Sequence, residues 1–259
     1  MSNIAKAFDH GKAFIGFVTG GDPSIESTKE FVIAMWNAGC DLIEIGVPFS
    51  DPIAEGPVIQ AANLRSLAAG VTTDSLLDLV AELREGGISV PLVFLTYLNP
   101  VYHYGYEAFF AKAAESGLDG IIIPDLPFEE QHEVKPIASK YGIDIISLVA
   151  PTSEGRVKMI AARATGFVYL VSSMGVTGVR REITTDLASI TGRVKAVTDM
   201  PVAVGFGVHT PGQARAVAES ADGVIVGSAI VKMIEEHGAG ATPHIADYVR
   251  KMKEAVSST

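Results

Sequence analysis

Apolar and polar positions follow two periods that take turns along the chain. Short, nearly continuous apolar runs recur, and each is followed by a segment in which apolar residues return every three or four positions. Continuous runs suit strands covered on both faces, and the longer period suits helices with one apolar stripe. Eight runs are found: FIGFVT from Phe14, LIEIGV from Leu42, LVFLTY from Leu92, GIIIPD from Gly120, DIISLV from Asp144, GFVYLV from Gly166, PVAVGF from Pro201 and GVIVG from Gly223. Their alternation with helical segments predicts a parallel sheet built from βα units.

The intervening segments carry helix punctuation. Leu76, Leu79, Val80 and Leu83 share one face, with Asp74 as the expected cap and Gly86 as the stop. Thr210 and Pro211 read as a cap and first-turn proline, and the segment from Tyr106 to Glu115 ends before Gly117. The last helix is expected over Ile245 to Val256. Doubly wound open sheets share this alternation, so the number of units decides. Eight units favour a single-domain α/β fold closed as a (β/α)8 TIM barrel, which leaves no exposed edge. Residues 1–259 are read as that one domain. The gap after the second run is unusually long, about residues 48–73, and falls where such barrels keep their chemistry.

Composition narrows the function classes. The chain has 259 residues, 48% hydrophobic and 19% charged, which is enough apolar material for a barrel interior and a ring of helices. A formal net charge of -10 disfavours nucleic acid or an anionic membrane as partner. A lone Cys40 forms no internal disulfide, and charges at Lys6, Asp9 and Lys12 break up any signal-like start. A cytoplasmic setting is expected.

An acidic protein that binds an anion must do so locally. Gly205-Phe206-Gly207 follows the seventh run, and Gly227-Ser228 follows the eighth and opens a helical segment. In these barrels the two loops commonly form a phosphate site from backbone N–H groups and a helix amino terminus. Tight turns alone would also explain isolated glycines; two such loops after consecutive final strands point to the cradle.

Glu44 stands in the middle of the second run, where an unpaired charge is expensive. Strand alternation puts Leu42, Glu44 and Gly46 on one side and Ile43, Ile45 and Val47 on the other. The second set suits packing against helices, so Glu44 is expected to face the barrel interior near its top. Desolvation there would raise its pKa and make it a general acid or base; the bland alternative is a structural ion pair. Asp51 and Glu55 lie in the long loop, where carboxylates usually face water. Tyr169 is inward by the same alternation, and packing alone would account for it. The six histidines are scattered, with His103 and His209 alone near run ends, both expected at the surface. No metal site is read from them.

The chain resembles the tryptophan synthase α subunit family over essentially its full length. The resemblance rests on FVTGGDP at 17–23, EIGVPFSDPIAEGPVIQ at 44–60, TYLNP at 96–100, PDLPFEE at 124–130, GVTG at 175–178, GFGV at 205–208 and VIVGSAIV at 224–231. It implies cofactor-free retro-aldol cleavage of indole-3-glycerol phosphate to indole and glyceraldehyde 3-phosphate, late in L-tryptophan biosynthesis. It makes Glu44 the main acid/base and Glu55 the second carboxylate at the indole nitrogen. Substrate contacts fall on Phe17, Leu95, Tyr97, Ile122, Asp125, Tyr169 and Thr177. Phosphate ligands fall on Gly178, Phe206, Gly207, Gly227 and Ser228, in line with the Gly205–Gly207 and Gly227–Ser228 cradle. A pyridoxal-phosphate β subunit is the implied partner, in an α2β2 assembly, with a mobile loop expected after the sixth run, about 173–186. Two departures stand out: Glu55 where the family pattern has aspartate, longer by about 1.5 Å, and Ser173 where many relatives carry arginine. A binding module that only activates a partner, and a metal-dependent sugar-phosphate epimerase, are the competing readings.

Overall fold

All eight runs form parallel strands in the computed structural model, which describes residues 3–150, 154–171, 187–205 and 207–259. The strands are β1 (Ala13–Thr19), β2 (Leu42–Gly46), β3 (Leu92–Leu95), β4 (Gly120–Ile122), β5 (Asp144–Ile145), β6 (Ser147–Val149), β7 (Val168–Val171), β8 (Val202–Gly205) and β9 (Gly223–Val226). Their order is β5-β4-β3-β2-β1-β9-β8-β7-β6. The strands at the two ends of that order, β5 and β6, are halves of the single run DIISLV, parted only by Ile146. The Ile146 amide still donates to the Ile121 carbonyl at 2.9 Å, and Ser147 opens the pairing with Val168. The sheet therefore closes on itself through one residue, and the fold is a single-domain TIM barrel.

The helices are α1 (Ile25–Asn37), α2 (Pro57–Ala68), α3 (Thr73–Glu85), α4 (Leu98–Tyr104), α5 (Tyr106–Ser116), α6 (Lys135–Lys140), α7 (Glu154–Ala161), α8 (Leu187–Lys195), α9 (Pro211–Ala218), α10 (Ser228–His237) and α11 (Thr242–Ser257). Thr210 caps α9 and Gly117 ends α5 in the left-handed region, as the sequence signals predict. The cap of α3 is Thr72 and not Asp74. Thr72 has the extended backbone a cap requires, and it exchanges hydrogen bonds with Ser75, satisfying two amide donors at once. Asp74 sits in the first turn, where its carboxylate accepts the Tyr104 hydroxyl at 2.6 Å.

Two apolar layers result from strand alternation. Ile43, Ile45 and Val47 join Phe14, Val18 and the inner stripes of the helices in an outer layer. Ala13, Ile15, Leu42, Val93, Ile122, Ile146, Phe167, Tyr169, Ala203 and Ile225 fill the barrel itself. Ile4 and Ala7, from the 3-10 turn over residues 3–8, belong to this inner layer and plug its amino end. The long interval after β2 carries α2, and Arg65 on that helix reaches the buried Asp22 through two hydrogen bonds of 2.8 Å. Among the described residues, no helix is long and apolar enough to cross a membrane.

Candidate active site

Inward positions at the carboxyl ends of the strands converge on one mouth. In the β1–β2–β3 register Phe17 lies opposite Glu44, and Glu44 opposite Val93, an inner-layer residue. Glu44 therefore points into the barrel, as alternation predicts. It is 1% exposed, and its Oε1 has no hydrogen-bond partner. Burial alone pushes its carboxyl up to about 8. Among the described residues it belongs to no ion pair. The Tyr169 phenol, buried on β7, is pushed up by burial and by the Glu44 charge, so the two groups face each other electrostatically.

The loop carboxylates separate sharply. Asp51 is exposed, whereas Glu55 is 5% exposed and receives the Tyr97 hydroxyl on Oε2 at 2.7 Å. Burial raises the Glu55 carboxyl to about 7, with the Tyr97 hydrogen bond opposing and the nearby Asp125 charge reinforcing the rise. Asp125 is half-buried and accepts the Leu98 amide at 2.8 Å, at the first turn of α4. Tyr97 immediately precedes α4 and is itself buried. Phe17, Leu95 and Ile122, from β1, β3 and β4, supply apolar wall.

Beside β1 at the same mouth, where a Cβ on Gly227 would meet Phe17 at 3.3 Å, Gly227 precedes α10 without any side-chain cap, and Ser228 is the first helical residue. That leaves amide donors of the first turn pointing outward, as an anion requires. Gly207 has φ +87°, a conformation that favours glycine. Gly205 has a second reason to lack a side chain: a Cβ there would stand 2.5 Å from the Tyr169 hydroxyl. Ser173, Thr177, Gly178 and Phe206 lie outside the described residues.

Sequence reasoning passed over Thr19. It continues the inward set of β1 one pleat above Phe17 and pairs with Gly46; at 1% exposed, its hydroxyl has no partner. The signal was present in FVTGGDP, as a polar residue two beyond an inward position. The expected surface histidines divide: His103 is exposed, while His209 is half-buried with Nδ1 2.9 Å from the Gly207 carbonyl.

Comparison with known proteins bears on this arrangement. The family model for the tryptophan synthase alpha chain matches residues 4–257. The chain belongs to the tryptophan synthase alpha chain family. The alpha chain of Lactiplantibacillus plantarum is 50% identical over 257 residues, covering 99% of this chain and 97% of the relative. That of Lacticaseibacillus casei is 47% identical over 258 residues, with 100% and 97% covered. Among solved structures, tryptophan synthase of Mycobacterium tuberculosis superposes with a TM-score of 0.90 at 36% identity, covering 99% of this chain and 98% of that one. The tryptophan synthase a2b2 complex of Pyrococcus furiosus gives 0.87 at 39% identity, over 95% and 99%. For a tryptophan synthase alpha chain, the barrel mouth that gathers Glu44, Glu55 and the Gly227–Ser228 helix start is where the chemistry is to be sought.

Proposed function

We propose that Glu44 and Glu55 carry the retro-aldol cleavage of indole-3-glycerol phosphate, by acid/base chemistry with no covalent intermediate and no cofactor in this chain. The reaction itself comes with family membership: tryptophan synthase alpha chains are lyases that cleave this substrate to indole and glyceraldehyde 3-phosphate in tryptophan biosynthesis. The residue roles rest on one observation, two carboxyls buried at one barrel mouth and pushed up to about 8 and about 7.

Breaking the bond to the indole ring needs a proton on the ring carbon and removal of one from the side-chain hydroxyl. Glu44, protonated at neutral pH, delivers the first proton and as carboxylate takes the second. Glu55, in its ionised form, accepts the ring N–H and stabilises the cationic tautomer formed on the way. Phe17, Leu95, Tyr97 and Ile122 enclose the indole, and Thr19 and Tyr169 offer hydroxyls to the glycerol chain. The amides around Gly207, Gly227 and Ser228 receive the phosphate, with Gly178 and Phe206 completing that set, while Thr177 contacts the rest of the substrate.

The same reading gives the chain a tryptophan synthase β subunit as partner, in an α2β2 assembly where pyridoxal phosphate belongs to the β subunit. The solved Pyrococcus furiosus relative is such an a2b2 complex. Replacing Glu44 with glutamine is expected to lower indole release by about 1000-fold, within the range for losing a general acid/base. Release within a few fold of wild type would overturn the assignment.

A further inference from the structure

Glu55 sits on the segment between β2 and α2, with three rotatable bonds between its backbone and its carboxylate, so its reach is not fixed by the backbone alone. The surrounding contacts fix it. The Ala54 amide donates to the Tyr97 hydroxyl at 2.9 Å, and that hydroxyl meets Glu55 Oε2 at 2.7 Å. An amide can only donate, so the phenol oxygen accepts there, and its single proton is committed to the carboxylate. One hydroxyl thus ties together the backbone of residue 54 and the side chain of residue 55. The Tyr97 ring is held in turn, 2% exposed and stacked on Phe49 with centroids 5.2 Å apart. The Gln60 side chain grips the Glu55 carbonyl at 2.8 Å, so the backbone is anchored as well.

We propose that Tyr97 is the positioning residue for Glu55: its hydroxyl clamps Oε2, sets the reach of the long side chain and leaves Oε1 directed at the substrate's ring nitrogen. The inference rests on the role given to Glu55 above and adds the device that makes a glutamate serve in it. Misplacement of a catalytic group by about 1 Å can lower the rate ~100-fold, so a flexible carboxylate needs such a clamp. The groups acting on Glu55 are Tyr97, before α4, and Asp125, after β4; Tyr97 favours the charged form and Asp125 disfavours it.

A double-mutant cycle tests the clamp, with Tyr97→Phe and Glu55→Asp made singly and together and indole release followed across pH. Phenylalanine keeps the buried ring and its stacking, so the fold is retained. Tyr97→Phe is expected to reduce kcat/KM by about 10- to 100-fold, the range for a hydrogen bond to a charged group. It should also move the acid limb to higher pH, because a donor that favours the carboxylate is gone. In the Glu55→Asp background the shorter side chain no longer reaches the hydroxyl, and Tyr97→Phe should change the rate less than about threefold. Equal losses in both backgrounds, or an unmoved acid limb, would overturn the proposal. Glu55→Gln separates the two readings: if it cleaves at near wild-type rate the role of Glu55 falls, whereas an inactive Glu55→Gln with an additive cycle removes the clamp alone.

Discussion

A carboxyl taken out of water without a counter-ion keeps its proton to higher pH, and this acts on Glu44 and Glu55 to different extents. Glu44 is raised to about 8 by burial alone, while Glu55, less deeply buried, is raised by burial to about 7, with Tyr97 stabilising its charged form and Asp125 acting against it. The proposed mechanism needs Glu44 protonated and Glu55 ionised. Activity should therefore rise as Glu55 loses its proton near pH 7 and fall as Glu44 loses its proton near pH 8. A narrow bell in kcat/KM against pH is the expected outcome, with the product state of the two groups titrating as a pair; a profile flat from pH 6 to 9 would contradict it. Glu44 was legible in the sequence because a charge inside an apolar run has to be explained, and alternation assigned it the inner side. Glu55 was not legible from its surroundings, since SDPIAEGP reads as solvated loop and only the fold buries residue 55 beside Tyr97. Family resemblance, and no local pattern, singled it out.

Elements hold these residues through contacts that cross between loops. The helix α2 carries Arg65, whose guanidinium forks onto Asp22 in the loop after β1 and also meets Glu235 on α10 at 3.4 Å. Asp22 is 1% exposed while Arg65 is 34% exposed, so loss of the cation strands a buried carboxylate. Arg65→Met is expected to destabilise the protein by about 2 kcal/mol, below the full cost of breaking a buried pair because one partner is partly solvated. Urea unfolding checks this, and a change under about 0.5 kcal/mol would show that the fork is incidental. Strand positions and most helix ends were readable from period and punctuation. The helix α2 offered only the proline at its first position, Pro57: it begins after Gly56 with no side-chain cap, and its apolar residues form no sharp stripe. The break at Ile146 was equally hidden, because DIISLV is uniformly strand-like and the interruption comes from pairing with different neighbours on either side.

The molecule as a whole presents its two buried carboxyls, Glu44 and Glu55, at the end of the barrel from which the β2–α2 segment projects. Ile53, next to the Tyr97-bound backbone of Ala54, is 72% exposed, although water gains nothing from so large an apolar side chain. The proposed β-subunit partner would cover it. Ile53→Asp is expected to weaken association with a purified β subunit by about tenfold, as loss of an apolar interface anchor does. Cleavage by the isolated chain should stay within about twofold; unchanged binding would place the interface elsewhere. Closure was legible from the count of eight units, whereas the plugged amino end was not, because Ile4 and Ala7 fall outside any recognisable period. That stopper has a consequence for traffic. Substrate cannot enter from beneath, and the indole and aldehyde fragments have to depart through the very doorway by which their parent arrived. A subunit seated over that doorway would decide where the indole goes next.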